Sequence, residues 1–371
     1  MVKYLSVIGA VIVLIIILVI GFVVWLNSSN PDYVWKKLND EQMKSSFVFN
    51  KNGDTVISIN PDERLALAST VKIMVALEYS FQIENGNVKP DEQVKLSDLE
   101  AYYVENLDGG AHEAWINSIK ENNMISNEAV PIREVAKGMM AFSSNANTEY
   151  LMDKLGIEQI ENRMKELDIY EHDPLYFFTA SLFIPYELKN EHYPNESMKE
   201  VKDDIVSLMR EMDKQEWIQL STDIHEKLKN EPTYKTDAKI KDWWNTDFDQ
   251  LFSDKFIRSS ASEYANLIHK INHKMLPEEA QFEMEYVMGS LMENEANQQW
   301  LNRAGKKGGS TAYILTDAIF AEDKEGDYYE AVIFFNDLKG LEAYKLMKSL
   351  NEFELKLLKD EQFQDKLTNQ Q

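Results

Sequence analysis

The 371-residue chain contains no cysteine. That absence removes disulfides, thiolate zinc sites, iron–sulfur clusters and cysteine nucleophiles together. Covalent chemistry here must therefore use Ser, Thr, Lys or a carboxylate. Positive charge is also scarce, with 39 Lys and Arg against 63 Asp and Glu and a net charge of −24. This balance argues against nucleic acid as a partner, because phosphate binding draws on clustered Lys and Arg that release counterions. Beyond Asn30 there is no second apolar run of spanning length, no low-complexity tract and no internal repeat. Apolar residues, by contrast, are plentiful: they make up 44% of the chain, with 7 Trp, 17 Tyr and 17 Phe. Such a chain can offset the entropy of ordering, which a disordered polar chain cannot. At about 150 residues per domain, there is room for two or three compact units or one large domain.

The exception to the shortage of long apolar runs is Leu5–Leu26, which carries no charge. At 1.5 Å rise per residue it spans roughly 33 Å, enough to cross a bilayer once. It ends in Val23, Val24, Trp25 and Leu26 rather than in the small residues of a signal-peptide cleavage site, so an uncleaved anchor over residues 1–30 is expected. The amino terminus and Lys3 lie before the run and the polar Ser28–Asp32 stretch after it. This asymmetry predicts a single-pass protein of the cell membrane, with its amino terminus cytoplasmic and the bulk of the chain outside.

Residues 31–371 then form one ectodomain. Phe47–Asn50 and Thr55–Asn60 read as strands around the turn Lys51–Asp54. Thr311–Glu322 and Tyr328–Phe335 read as a second hairpin around Asp323–Asp327. Leu346, Leu350, Phe353 and Leu357 have the spacing of an amphipathic closing helix over Leu341–Lys359. The middle is helical by pattern. Strands at both ends with helices between predict an α/β (α+β) fold: one sheet from about 31–70 and 300–371, with a helical lobe of about 71–300 inserted.

Three short motifs can carry chemistry. In Ser69-Thr70-Val71-Lys72, Ser69 capping the following helix would put Lys72 one turn on, on the same face. An amine whose pKa is lowered by burial could then take the Ser hydroxyl proton, and the helix N-terminus offers N–H groups to an oxyanion. Ser143-Ser144-Asn145 supplies a hydroxyl able to relay a proton and an amide able to hold a substrate. In Lys306-Lys307-Gly308-Gly309-Ser310, glycines permit close approach to a strand, a Lys can attract a carboxylate and Ser310 can donate its N–H. Taken singly, these segments also fit a helix cap, a polar turn and a basic glycine turn entering a hairpin.

Their order and context resemble the penicillin-recognising serine hydrolases, that is, class A beta-lactamases and low-molecular-weight penicillin-binding proteins. The resemblance runs from about Phe47 to Phe335 and includes the lead-in Asn60–Arg64. It implies a beta-lactamase/transpeptidase-like fold, with an antiparallel sheet flanked by helices and an all-helical lobe. By the same resemblance Ser69 is the acylated nucleophile, Lys72 its proton acceptor and Ser143 the relay. Asn145 is a substrate and Lys72 contact, Lys307 is the electrostatic anchor, and Gly309 and Ser310 border the substrate. The N–H groups of Ser69 and Ser310 form the oxyanion hole. Neither a cofactor nor a metal is expected, and the ligand is a cell-wall peptide or a beta-lactam-like small molecule.

The chain also departs from that pattern. Ser144 stands where class A lactamases usually have Asp, Gly308 where a hydroxyl residue is usual, and Lys306 offers a register one residue earlier than Lys307. The deacylating Glu-Pro-x-x-Asn loop is missing, and Glu187 and Asn190 stand at the wrong spacing. A charged helical stretch from about Lys189 to Lys255 is an elaboration on one side of the lobe. His269 and His273 are four apart on a helix with no Glu between them, so they lack the pattern of a zinc hydrolase. The leading expectation is a membrane-anchored D,D-peptidase-like serine hydrolase. A beta-lactamase and a degenerate member that binds wall peptides or a partner without turnover are the alternatives.

Overall fold

The computed structural model describes residues 23–370. The anchor expected over Leu5–Leu26 falls almost wholly outside them. Among the described residues no helix is long and apolar enough to cross a membrane.

Five antiparallel strands form the central sheet, in the order β2-β1-β9-β8-β7. β1 (Lys44–Lys51) and β2 (Asp54–Ile59) make the first hairpin; β7 (Leu301–Ser310), β8 (Leu315–Asp323) and β9 (Tyr328–Asn336) make a meander. β1 pairs with β9 along its whole length, Phe47 opposite Ile333 and Val48 opposite Val332, so the two chain ends close one sheet. Four short strands lie outside it in two pairs: β3 (Leu65–Ala66) with β6 (Arg258–Ser259), and β4 (Gln93–Lys95) with β5 (Ala129–Pro131).

Side-chain alternation along the strands divides the core in two. Phe47, Phe49, Ile333 and Phe335 face one side. There they pack with Val34 and Leu38 of α1 (Pro31–Leu38) and with Leu346, Phe353 and Leu357 of the helix Gly340–Lys359. Val48, Ala318, Val332 and Phe334 face the helical lobe. At the centre of the lobe is α2 (Lys72–Glu84), buried on nearly every side from Ile73 to Phe81, as a helix apolar all round must be. Packed on it are α3 (Asn145–Leu155) and the helices Ile132–Ala141, Ile157–Glu166 and Glu278–Met288. The lobe region also contains α4 (Lys214–Asn230) and α5 (Ala261–Asn272). The last of these, which its sequence pattern groups with the lobe, packs directly on β1, β8 and β9.

One difference from the expected strands bears on function. The third motif is not a turn entering a hairpin but the end of a long strand, β7, and the turn lies at residues 311–314. There the Thr311 hydroxyl accepts from the backbone of Tyr313 and Ile314. Glycine and lysine have low strand propensity, which hid β7 in the sequence. Pairing with all of β8 overrides that local preference.

Candidate active site

The serine of the first motif is carried on a short 3-10 turn, Ala68–Val71, wedged between β3 and α2. It does not cap the helix, since no side-chain capping bond is made there. In a 3-10 turn residues three apart eclipse, so Ser69 and Lys72 still share a side. The turn is tied down from below. Asn336 on β9 grips both backbone groups of Ala66, accepting from its N–H at 2.7 Å and donating to its carbonyl at 3.1 Å. The Thr316 hydroxyl meets the Thr70 hydroxyl at 2.8 Å and donates to the Leu67 carbonyl at 2.7 Å. Ala68 takes a φ of +43°, a region costly for a residue with a Cβ and found where surroundings over-determine the backbone.

Ser143 has the same kind of strain, with a φ of +71°. The next residue, Ser144, is buried and caps α3 by accepting from the Asn147 N–H, with His112 Nδ1 2.9 Å from its hydroxyl. The Ser144 hydroxyl is therefore engaged within the fold and does not line the cleft that Ser143 and Asn145 line. Lys72, 1% exposed, donates to the Ser143 carbonyl at 2.7 Å, the Ser143 hydroxyl at 3.2 Å and Asn145 Oδ1 at 2.7 Å. Those acceptors occupy all three ammonium N–H groups. Burial, and then the nearby Lys307 cation, push the Lys72 amine well below its ordinary value, against Asp108 and Glu149.

Strand alternation resolves the two lysines of the third motif. Lys307 faces the lobe, 3.1 Å from the Ser143 hydroxyl and 2.7 Å from the Gly308 carbonyl. Burial lowers it to about 8, opposed by Asp317 and helped by Lys306. Lys306 faces the opposite side of the sheet, toward Asp317 at 2.8 Å and toward Glu354 and Asn351 of the helix Gly340–Lys359. Although burial opposes it, the two carboxylates hold Lys306 above its ordinary value. Gly309 is where β7 touches the 3-10 turn. A Cβ there would lie 2.5 Å from the Ser69 nitrogen and 2.8 Å from the Thr70 nitrogen, closer than any side chain can sit.

Ser69, Lys72, Ser143, Asn145, Gly309 and Ser310 line one cleft of about 780 Å³. Lys307 stands behind them, 3% exposed, and reaches the cleft through Ser143. The arrangement presents a half-buried hydroxyl one turn from an amine of lowered proton affinity, a second hydroxyl between two lysines, and N–H groups at a turn.

The sequence left the far wall unread. Trp244, Phe252 and Ser253, all in the 189–255 elaboration, line the cleft beside Tyr176 and Phe178. The segment Phe177–Phe183 closes one side and is held by Glu149 of α3, whose carboxylate accepts from the Thr179 and Ala180 N–H groups, each at 3.0 Å. Glu149 in turn meets His225 of α4, which is sandwiched between the rings of Phe177 and Tyr102 at 3.6 and 4.8 Å. Burial alone would deprotonate His225, but Asp153 and Glu149 together raise it to about 9. No motif marks these residues, since Glu149 and His225 meet only across the fold. Glu187 is elsewhere engaged, with Lys227 and with the Tyr234 hydroxyl at 2.6 Å.

Several solved structures share this architecture. A beta-lactamase from Chitinophaga pinensis superposes with a TM-score of 0.51 at 13% identity, covering 87% of this chain and 98% of its own. A class A beta-lactamase from Bacteroides cellulosilyticus gives 0.51 at 14%, covering 90% and 99%. A beta-lactamase from Sphaerobacter thermophilus gives 0.51 at 11%, covering 88% and 97%. At such identities the likeness is one of fold. No curated protein matches the chain. The model of the beta-lactamase enzyme family matches residues 34–352, nearly the whole described chain, and the protein belongs to that family of serine hydrolases.

Proposed function

We propose that the protein is a membrane-anchored, extracytoplasmic hydrolase that forms an acyl-enzyme on Ser69 from a cell-wall peptide or a related amide, in the manner of a D,D-peptidase. The Ser69 hydroxyl attacks the substrate carbonyl and gives its proton to the lone pair of the neutral Lys72 amine, which in that state donates to only two of the three acceptors around it. The N–H groups of Ser69 and Ser310 meet the developing oxyanion. Ser143, polarised by Lys307, delivers the proton to the leaving nitrogen, and Asn145 orients the substrate amide. The lowered proton affinity of Lys72 supports this assignment, because an ordinary ammonium could not act as a base.

The observation that favours a slow acyl-enzyme over a working lactamase is the closing segment. Phe177–Phe183 contributes Phe178, Ser181 and Leu182 to the cleft and contains no carboxylate. Hydrolysis of an ester needs a base placed to activate water. Two other carboxylates that line the cleft, Asp108 and Asp249, are already engaged. Asp108 accepts from the N–H groups of Gly110, Ala111 and His112, and Asp249 from the Trp244 indole. Family membership and the fold of the three solved lactamases favour the second reading, a class A-like beta-lactamase.

Intact mass of the full-length protein in detergent, after incubation with a fluorescent penicillin, separates the readings. One covalent adduct that persists for minutes or longer and is absent from Ser69→Ala is expected. Rapid hydrolysis of a chromogenic cephalosporin would establish the lactamase instead. No adduct with either penicillin or a fluorophosphonate would leave a binding protein without turnover. Recovery in the membrane fraction until detergent is added tests the anchor.

A further inference from the structure

On the face of the sheet that carries α5, the end of that helix brings His269 and His273 over Glu330 of β9. Their rings are 4.1 Å apart. His269 Nδ1 is 3.8 Å from Glu330 Oε2, and His273 Nε2 is 3.3 Å from Glu330 Oε1. All three donor atoms lie within 4.8 Å of one another. Zinc held by imidazole and carboxylate at about 2.0–2.1 Å in a tetrahedron requires ligand atoms about 3.3 Å apart, against 3.3 and 3.8 Å between the two imidazoles and the carboxylate here. The sequence alone presents only the two histidines. The third donor comes from a strand 57 residues beyond His273.

Glu330 is 1% exposed. Oε1 accepts from Asn272 Nδ2 at 2.6 Å. Oε2 has no hydrogen-bond partner among the described residues, and His273 Nε2 stands 3.3 Å from Oε1 without forming a well-made hydrogen bond. A buried carboxylate with one neutral donor is costly, and an unpaired imidazole nitrogen beside it is the complement a cation requires. Supporting contacts are in place. Asn272 also bonds the carbonyl of Tyr329 at 3.2 Å and takes a bond from Arg303 at 3.4 Å, and His273 stacks on Tyr328 at 4.6 Å. Such outer contacts fix the orientation of first ligands. The histidine side chains remain 35% and 26% exposed, which leaves an entry path and a fourth position open to water.

We propose that this cluster binds one zinc-class divalent cation through His269 Nδ1, His273 Nε2 and the Glu330 carboxylate, and that the ion staples α5 to β9. Glu330 pairs with Phe320 on β8, four residues from Thr316 beneath Ser69, so the site lies on the order of 13 Å along the strands from the cleft. Its role is to hold the sheet and α5 together.

The test is calorimetric titration of chelator-treated full-length protein in detergent with zinc chloride, and separately with cobalt chloride while recording visible absorption. One equivalent binding at micromolar or tighter affinity is expected, with tetrahedral cobalt bands and a thermal midpoint raised by several degrees in excess zinc. His269→Ala and His273→Ala should each weaken binding at least tenfold, and the double variant should abolish it. Because both histidines are partly exposed, these variants keep the fold, which circular dichroism checks. The proposal is overturned if the wild type takes up no stoichiometric ion, or if the double variant binds as tightly as the wild type. The latter result would place the ion elsewhere, for example at Asp153, His225 and Glu226, whose donor atoms also converge.

Discussion

Ser143 is the side chain on which the cleft's electrostatics turn, because its hydroxyl lies between two amines whose proton affinities are both lowered, Lys72 at 3.2 Å and Lys307 at 3.1 Å. In the proposed mechanism Lys72 as base must be neutral and Lys307 as electrostatic anchor charged, so the two lysines would oppose each other along the pH axis. The profile of kcat/KM, which reports the free enzyme, should rise as Lys72 loses its proton. It should fall as pH passes through about 8, where Lys307 loses its charge. Lys307→Met should remove the descending limb while lowering the plateau. A profile with the same upper limb in wild type and variant would mean that Lys307 does not set it. Gly309 belongs here too. Gly309→Ala would drive a methyl group into the Ser69 and Thr70 nitrogens, displacing the turn that carries Ser69 from β7. Misplacement of about 1 Å costs on the order of a hundredfold in rate, so acylation by a fluorescent penicillin should slow about that much while circular dichroism is unchanged.

α4 is the element whose purpose the sequence concealed. It presses His225 onto Glu149 and Asp153, and Glu149 carries the N–H groups of the closing segment. The imidazole is raised from 6.5 to about 9. Its contribution to stability is therefore fully present below about 6.5 and is lost as pH rises through about 9. Asp153, held by His225 and Lys229 against burial, is lowered to about 2, so its share is present above the ordinary carboxylate range and lost only as pH falls to about 2. His225→Leu leaves Glu149 buried without its cation and should cost about 3 kcal/mol. In urea denaturation the gap between wild type and variant should narrow from pH 6 to pH 9. A gap independent of pH would show that the imidazole acts by packing alone. Strands β1, β2, β8 and β9 and the three motifs were legible because Phe47–Asn50 or Ser69–Lys72 is a local pattern. This brace was not, since Glu149 and His225 share no helix face, strand or turn.

Across the molecule, the two ends of the chain hold the sheet between them. Val23–Asn27 is helical. The carbonyls of Trp25 and Ser28 are met by the ammonium of Lys345, which is fully buried in the helix Gly340–Lys359 and lies 4.8 Å from the Trp25 ring centre. The Asn30 side chain then caps α1, and Ser349 receives the Asn30 N–H at 3.1 Å. The segment leaving the expected anchor is thus clamped to the last long helix. A chain beginning at Pro31 loses the cap and the clamp together. It should be about 1–2 kcal/mol less stable than one beginning at Val23, read as a lower urea midpoint at unchanged slope. Equal midpoints would show that the clamp contributes nothing.

Local chemistry alone decided which hydroxyl, amine and amide could act, because Ser69, Lys72, Ser143 and Asn145 are each marked by neighbours within one helical turn. It also decided that the sheet is assembled from both chain ends, because strand and helix periodicities are carried by consecutive residues such as Phe47–Phe49 and Ile333–Phe335. Tertiary structure decided which of Lys306 and Lys307 faces the cleft, since that depends on the register of β7 against β8. It decided as well that KKGGS is strand rather than turn, that the elaboration walls the cleft, and that Glu330 meets two histidines. Each of those outcomes depends on contacts between residues far apart in the chain. Such contacts are set by the register and packing of whole elements, to which no short window of sequence has access.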